Sequence, residues 1–307
     1  MELDIIDYND MSLHKDILIE ALKNKGIVGV RNIPGFKENS KNYIEIARKF
    51  CALKEDIKNH YAPDRDKGQT EGFEIGAEQF QDSEGKWHID DKKCSFYACI
   101  PDQEKNIWPQ EIDLRSAYCA LGEIMFLAGK KILNLLDLAE SMGLKNYSGY
   151  GRMLHYLKDT DSHKNQSYWC NPHYDHGVFT ALMPAYYYQN NSLVAEPDEA
   201  GLYVMPTSQA SYEKIYAHDK SVCLFQVGQF GQLASNDKIK ATKHFVKKSY
   251  ENVERFTFAL FFEPDKKTKI TSHSVLALDS RYQDKQLDGA ITYQDWSRAS
   301  FEMYRVP

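Results

Sequence analysis

The chain has 307 residues, of which 42% are hydrophobic and 13% aromatic, enough for a sizeable core in one large domain or two small ones. Its formal charge of −6 and a pI near 5.9 argue against the basic surface typical of nucleic-acid-binding proteins. We therefore expect a small-molecule partner, with no nucleic acid and no membrane, and a monomer is compatible with this composition.

The compartment is predicted from the first residues and from the cysteines. The acidic start Met1-Glu2-Leu3-Asp4 differs from the basic and apolar start of a secretory signal, and no segment has the length needed to span a membrane. Six scattered cysteines lack the close spacing of a zinc site or a redox dithiol, so they are predicted to be free thiols. Together these features favour the cytoplasm.

The first half of the chain is predicted to be rich in helices. Apolar residues recur at helical spacing in segments 16–25, 43–61 and 114–142, and residues 26–30 have the character of a short buried strand. We found no repeat, low-complexity tract or linker in the chain. The whole chain is therefore expected to form one structural unit.

From residue 153 onward the pattern changes to short strands. They are predicted at 153–157, 178–183, 201–205, 221–227 and 255–262, separated by polar or glycine-bearing turns. This spacing predicts a mixed α/β fold with a mainly β core, a jelly-roll or another double-sheet barrel. Residues 1–150 would pack on the barrel, 151–265 would form it, and 266–307 would be an extension with a helix at 293–304 lying over the outside.

The motif His-x-Asp occurs three times, as His14-Lys15-Asp16, His88-Ile89-Asp90 and His173-Tyr174-Asp175. His14 is predicted on the surface near the start of a helix, and His88 in a solvated loop or at a sheet edge beside a run of charges. His173 instead leads into an apolar strand. Because side chains two apart in an extended segment share a face, His173 and Asp175 are predicted to be neighbours.

A third ligand would have to come from elsewhere in the sequence, and His244 lies in a predicted strand after a turn. Taken alone, an ordinary half-buried histidine would be the better explanation of His244. Two imidazoles and one carboxylate on one face would suit an open-sided iron(II) site.

The strand at 255–262 changes the weight of that evidence. Its alternation places Arg255 and Thr257 on one face, with Phe256 and Phe258 on the other. An inward-facing arginine needs an anion, which could be an Asp or Glu of the protein or a bound dicarboxylate.

In this order the residues resemble those of the iron(II)- and 2-oxoglutarate-dependent dioxygenases of the isopenicillin N synthase-like superfamily. The resemblance extends to segments 72–74, 106–109, 154–156, 201–205, 227–236 and 239–244. It implies a double-stranded β-helix (jelly-roll) barrel in which His173, Asp175 and His244 hold Fe(II). It also implies that Arg255 and Thr257 bind the distal carboxylate of 2-oxoglutarate, with Tyr156 as a further contact.

The implied activity is that of an oxidoreductase, a dioxygenase that uses O₂ and 2-oxoglutarate to hydroxylate, desaturate or cyclise a small organic substrate. An iron oxidase that does not use 2-oxoglutarate and a catalytically silent binding protein remain alternatives.

Three segments bear on the substrate. Residues 185–200 are longer than the family's usual connection and could form a lid or a surface loop whose tyrosines pack on the barrel. Residues 159–165 could border the pocket, and residues 30–34 depart from the family's usual asparagine-histidine-glycine turn.

Overall fold

The computed structural model describes residues 1–81, 86–138, 148–158 and 167–304. Its α-helices are α1 (Lys15–Asn24), α2 (Phe36–Cys51), α3 (Glu55–Asn59), α4 (Leu114–Leu135), α5 (Gln229–Ala234), α6 (Ser280–Gln283) and α7 (Tyr293–Tyr304).

The helices predicted from periodicity are present, with shifted ends. The predicted segment 43–61 is divided between α2 and α3, and residues 139–142 of the third segment lie outside the described residues, as do residues 159–165. The Asp113 carboxylate accepts a hydrogen bond from the Ser116 backbone N–H at 3.1 Å, which caps the first turn of α4. None of the helices in the described residues is both long and apolar enough to cross a membrane.

A large mixed sheet runs through the molecule. Its strands are β1 (Ile5–Asp7), β2 (Ile27–Arg31), β3 (Gly72–Ile75), β6 (Lys93–Ile100), β7 (Ser148–Tyr156), β9 (Phe179–Leu182), β10 (Tyr186–Gln189), β11 (Ser192–Val194), β14 (Cys223–Val227) and β16 (Glu254–Glu263). The order is β1-β2-β14-β9-β16-β7-β6-β3, and β10 pairs with β16 and with β11.

A second sheet of β8 (Tyr168–His173), β12 (Gly201–Met205), β13 (Glu213–Lys214) and β15 (Lys243–Lys247) has the order β13-β12-β15-β8. Two short two-stranded sheets complete the strands of the described residues. They are β4 (Gln79–Gln81) with β5 (Trp87–Ile89) and β17 (Lys269–Ile270) with β18 (Ile291–Thr292).

The strand β16 separates two packed layers. On one face Phe258 and Phe262 contact α4, with the Phe258 ring 4.8 Å from that of Tyr118 and the Phe262 ring 5.6 Å from that of Phe126. A Cβ at Gly129 of α4 would lie 2.2 Å from the Phe262 ring, so only glycine permits this approach. The other face of β16 carries Arg255 and belongs to the layer between the two sheets.

The N-terminal part contributes more than helices. Its strands β1, β2, β3 and β6 all belong to the large sheet. The predicted helix-rich region before residue 150 therefore also contributes these four strands to the sheet. The predicted boundary at 150/151 falls inside β7, and the division into three parts stays a prediction. At the other end α7 has the predicted bounds, and it buries Trp296, whose indole N–H donates to the His176 carbonyl at 2.9 Å.

Candidate metal centre

Two histidines and one aspartate meet between the two sheets. His173 ends β8, Asp175 follows two residues later, and the β8–β15 register places His244 directly opposite His173. One ligand atom from each residue lies within 4.8 Å of the other two. Asp175 Oδ1 is 3.5 Å from His173 Nε2 and 3.8 Å from His244 Nε2, a spacing that one cation could bridge.

Backbone carbonyls fix the orientation of both imidazoles. His173 Nδ1 lies 2.7 Å from the Asn171 carbonyl oxygen, and His244 Nδ1 lies 3.0 Å from that of Thr242. With Nδ1 of each ring beside a carbonyl, Nε2 is the nitrogen that lies on the side of Asp175. Metal-binding histidines typically donate their second ring N–H to a carbonyl or a carboxylate in this way.

The carboxylate of Asp175 is held by two residues that the sequence analysis missed. Its Oδ2 accepts hydrogen bonds from Thr180 Oγ1 at 2.6 Å and from Gln226 Nε2 at 3.0 Å. Oδ1 is thereby left for the histidines. The signal that could have revealed them is a polar residue at a buried position of an otherwise apolar strand, since Thr180 and Gln226 are 1% and 0% exposed.

All three groups have shifted pKa values, and those of Asp175 and His244 suit cation binding. Burial raises the pKa of Asp175, but the nearby His244 and His173 lower it more, so its pKa is well below the ordinary value and the carboxyl is ionised. Burial, followed by the charge of His173, lowers the pKa of His244 to about 4, which leaves this imidazole neutral at pH 7.

For His173, burial lowers the pKa, but Cys170 and Asp175 raise it by more, and the net pKa lies well above the ordinary value. A cation that binds here would therefore displace a proton from His173.

Arg255 lies in the same layer, on β16. Its side chain is 6% exposed, its Nε–H donates to the Tyr187 hydroxyl at 3.2 Å, and its guanidinium carbon lies 5.0 Å from the Tyr156 ring centroid. Buried Nη1 has no hydrogen-bond partner, and Arg255 forms no ion pair with any residue that the structure describes. Among the described residues no carboxylate therefore forms an ion pair with Arg255. Burial lowers the pKa of this guanidinium, but Tyr187, Tyr156 and the charge of Glu196 in the same cavity raise it by more.

Thr257 lies two residues further along the same face. Its hydroxyl donates to the Met183 carbonyl at 2.6 Å, which fixes the orientation of its oxygen beside Arg255. Tyr156 lies across from Arg255 on β7, and burial, followed by the charge of Cys170, raises its pKa to about 12, so its phenol stays protonated.

A cavity of about 80 Å³ joins the histidine–aspartate cluster to Arg255. Its lining includes all six predicted site residues, His173, Asp175, His244, Arg255, Thr257 and Tyr156. Much of the remaining wall is apolar, from Leu154, Leu202, Leu224, Val246 and Phe261. The sequence-predicted residues therefore line one cavity.

Other candidate residues lie apart from this cluster. His14 is exposed at the start of α1, as predicted, and His88 lies on β5 of the two-stranded β4–β5 sheet, which agrees with the predicted edge position. All six cysteines are free thiols, as predicted.

Part of the segment 185–200 lines the cavity, through Ala185, Tyr187 and Glu196. Tyr186–Gln189 pairs with β16 as β10, and Tyr186, Tyr187 and Tyr188 are 8%, 1% and 9% exposed. The alternative of tyrosines packed on the barrel describes the segment better, because strand pairing and burial hold it in place.

The similarity of this chain to known proteins was found by comparison of structures and not of sequences. No protein-family model matches the chain, and no curated protein matches it in sequence. Three similar solved structures are a putative 2OG-Fe(II) oxygenase family protein from Caulobacter crescentus, a full-length protein from Neurospora crassa in complex with alpha-KG, and the dioxygenase for auxin oxidation (DAO) in rice.

The Caulobacter protein has a TM-score of 0.73 at 17% identity, with 98% of each chain covered. The Neurospora protein has a TM-score of 0.72 at 17% identity, covering 98% of this chain and 96% of its own, and is also solved with thymine. The rice protein has a TM-score of 0.68 at 20% identity, with coverage of 98% and 96%. The chain therefore has the fold of the 2-oxoglutarate- and Fe(II)-dependent oxygenases, as the sequence resemblance predicted.

Proposed function

We propose that this protein is a non-haem Fe(II)- and 2-oxoglutarate-dependent dioxygenase that oxidises a C–H bond of a small organic substrate. The observation that carries the proposal is the convergence of His173, Asp175 and His244 in a cavity that also contains an arginine without an acidic partner in the described chain.

The donor set of the cluster fits Fe(II). Two neutral imidazole nitrogens and one carboxylate on one side of an ion leave its other positions free for further ligands. Thr180 and Gln226 keep the Asp175 carboxylate in place, and backbone carbonyls keep both imidazoles oriented. When bound, Fe(II) supplies the oxidation chemistry: 2-oxoglutarate, O₂ and a C–H bond give succinate, CO₂ and a hydroxylated product, or a desaturated or cyclised product and water.

Arg255, Thr257 and Tyr156 would hold the distal carboxylate of 2-oxoglutarate. The unpartnered Nη1 of Arg255 is a buried donor, and burial of an unpaired cation costs several kcal/mol, on the order of what a bound anion would relieve. The Thr257 hydroxyl is fixed beside it by Met183. This unmatched charge favours a dicarboxylate co-substrate over an iron oxidase that uses none.

The architecture supports a double-stranded β-helix barrel as the finer description of the fold. The large sheet and the β13-β12-β15-β8 sheet both line the cavity, with Thr257 from one and His244 from the other. Such a barrel would take its metal ligands from the inward faces of its strands.

The substrate would be a small molecule that enters beside the metal centre. The Neurospora protein is solved with thymine, and the rice protein is a dioxygenase for auxin oxidation, so proteins of this fold accept small molecules. The apolar lining of the cavity, which includes Leu154 and Phe261, is consistent with an uncharged part of such a substrate.

The test is co-substrate turnover. Protein purified without O₂ is given Fe(II), 2-oxoglutarate and O₂ with a panel of small molecules, and succinate is measured. We expect succinate formation that requires all three components and is absent in Asp175→Ala. No succinate, even uncoupled from a substrate, together with no binding of 2-oxoglutarate to the metal-loaded protein, would refute the proposal.

A further inference from the structure

The hairpin between Pro184 and Gly201 inserts one tyrosine into the cavity. β10 pairs with β16 so that Tyr187 lies directly opposite Arg255, and Tyr187 lines the cavity whereas its neighbours Tyr186 and Tyr188 do not. Tyr188 points to the other face, where its ring lies 3.6 Å from the Arg48 guanidinium carbon. Alternation along the strand therefore gives Tyr187 a role that its neighbours do not share.

Tyr187 occupies one edge of the Arg255 guanidinium. Its hydroxyl accepts the Nε–H of Arg255 at 3.2 Å, while Nη1 has no hydrogen-bond partner. A carboxylate binds a guanidinium best through two parallel N–H donors along one edge. With Nε held by Tyr187, the edge formed by the two terminal nitrogens is the one left for an incoming carboxylate.

The surroundings of Tyr187 leave the charge of Arg255 unmatched. The acidic side chain that this hairpin contributes to the cavity wall, Glu196, forms an ion pair with Lys214, whose Nζ lies 3.2 Å from Glu196 Oε1, and both side chains are 5% exposed. Gly201, with φ +109°, permits this arrangement, because a Cβ there would lie 2.3 Å from Glu196 Oε1 and 3.3 Å from the Tyr187 hydroxyl. Glu196 is thus ion-paired with Lys214 and acts on Arg255 only through its charge, without direct contact.

We infer that Tyr187 is a positioning residue for the co-substrate carboxylate. It fixes the Arg255 guanidinium so that the free edge of the guanidinium faces the cavity. The inference rests on the proposed function and assigns to the inserted hairpin a part in co-substrate binding. Tyr187 acts through Arg255, so its removal should change the affinity for 2-oxoglutarate and leave the metal centre intact.

The experiment compares Tyr187→Phe with Tyr188→Phe, a matched control that removes a hydroxyl from the same strand on the opposite face. Binding of 2-oxoglutarate to Mn(II)-loaded protein without O₂ is measured by calorimetry, and Mn(II) affinity and melting temperature are measured in parallel. We expect Tyr187→Phe to weaken 2-oxoglutarate binding about tenfold, the order expected for one hydrogen bond to a charged group. The Mn(II) affinity of Tyr187→Phe should match that of the wild type. In Tyr188→Phe the affinities for 2-oxoglutarate and for Mn(II) should both match those of the wild type.

Action through Arg255 is tested by a double-mutant cycle with Arg255→Lys. A lysine lacks the planar fork that Tyr187 orients, so Tyr187→Phe should have little further effect in that background. In turnover, the KM for 2-oxoglutarate should rise in Tyr187→Phe while kcat at saturation is unchanged.

Two results would overturn the inference while leaving the proposed function intact. One is wild-type affinity for 2-oxoglutarate in Tyr187→Phe, and the other is tighter binding, which would show that Tyr187 competes with the carboxylate. If the phenylalanine variant does not fold, Tyr187→Met removes the same hydroxyl and is judged by the same criteria. Failure of the wild-type protein itself to bind 2-oxoglutarate would overturn the proposed function, and this inference with it.

Discussion

Arg255→Met should weaken the binding of 2-oxoglutarate without lowering the stability of the protein. Methionine fills most of the space of the arginine side chain but carries no charge. Two charge-assisted hydrogen bonds to a carboxylate contribute about 3–6 kcal/mol together, so the Kd for 2-oxoglutarate should rise by about two to four orders of magnitude. Binding of Mn(II) or Fe(II) should persist, because Arg255 does not belong to the histidine–aspartate cluster.

The stability of the ligand-free protein should not fall. Arg255 is 6% exposed, its partners in the described chain are the Tyr187 hydroxyl and the Tyr156 ring, and its Nη1 is unpaired. Removing an uncompensated buried cation is favourable, whereas the Tyr187 hydroxyl loses one partner. The net expectation is a free energy of unfolding that is unchanged or higher by about 2 kcal/mol, which corresponds to a rise in Tm of a few degrees.

A buried arginine elsewhere in the chain is the matched control. Arg281 is 4% exposed, but it is paired: its Nε and Nη2 contact both carboxylate oxygens of Asp279 at 2.9 and 2.8 Å, and its Nη1 donates to Ser300 at 3.2 Å. Arg281→Met should therefore lower stability by about 1–3 kcal/mol and leave 2-oxoglutarate affinity unchanged.

The assays are chemical denaturation and calorimetric titration of 2-oxoglutarate into metal-loaded protein. Wild-type affinity in Arg255→Met would refute the role of Arg255 as the carboxylate anchor. A loss of stability as large as that of Arg281→Met would show that Arg255 has an intramolecular partner.

Three further predictions concern the metal centre and the pH dependence of stability. His244→Ala should abolish Fe(II) binding in anaerobic titrations, whereas His14→Ala, from another His-x-Asp motif, should bind like the wild type; equal loss in both would contradict the assignment. Thr180→Val removes a hydrogen bond to Asp175 and should weaken metal binding about 10- to 100-fold, while unchanged affinity would show that this contact is dispensable. Burial raises the pKa of Glu263 from 4.5 to about 7, so its contribution to stability is present below pH 4.5 and is lost as pH rises through 7. Glu263→Gln should therefore raise Tm relative to wild type more at pH 8 than at pH 5, and an equal difference at both values would argue against that raised pKa.

The sequence by itself determined the features that depend on local spacing. Short segments between turns predicted strands at 201–205, 221–227 and 255–262, the last also by its alternation, and helical spacing predicted the terminal helix at its observed bounds. It also paired His173 with Asp175 and Arg255 with Thr257, because residues two apart in an extended segment share a face whatever the rest of the chain does.

Tertiary structure decided which distant faces meet. The β8–β15 register sets His244 opposite His173, and the β10–β16 register sets Tyr187 opposite Arg255. A shift of either pairing by one residue would turn these side chains to the other face of the sheet. The strands β3 and β6, from a region predicted to be rich in helices but outside its predicted helical segments, join the large sheet through pairings with residues far along the chain. Such pairings depend on burial of apolar surface across the whole fold, which the spacing of residues within a single segment does not encode.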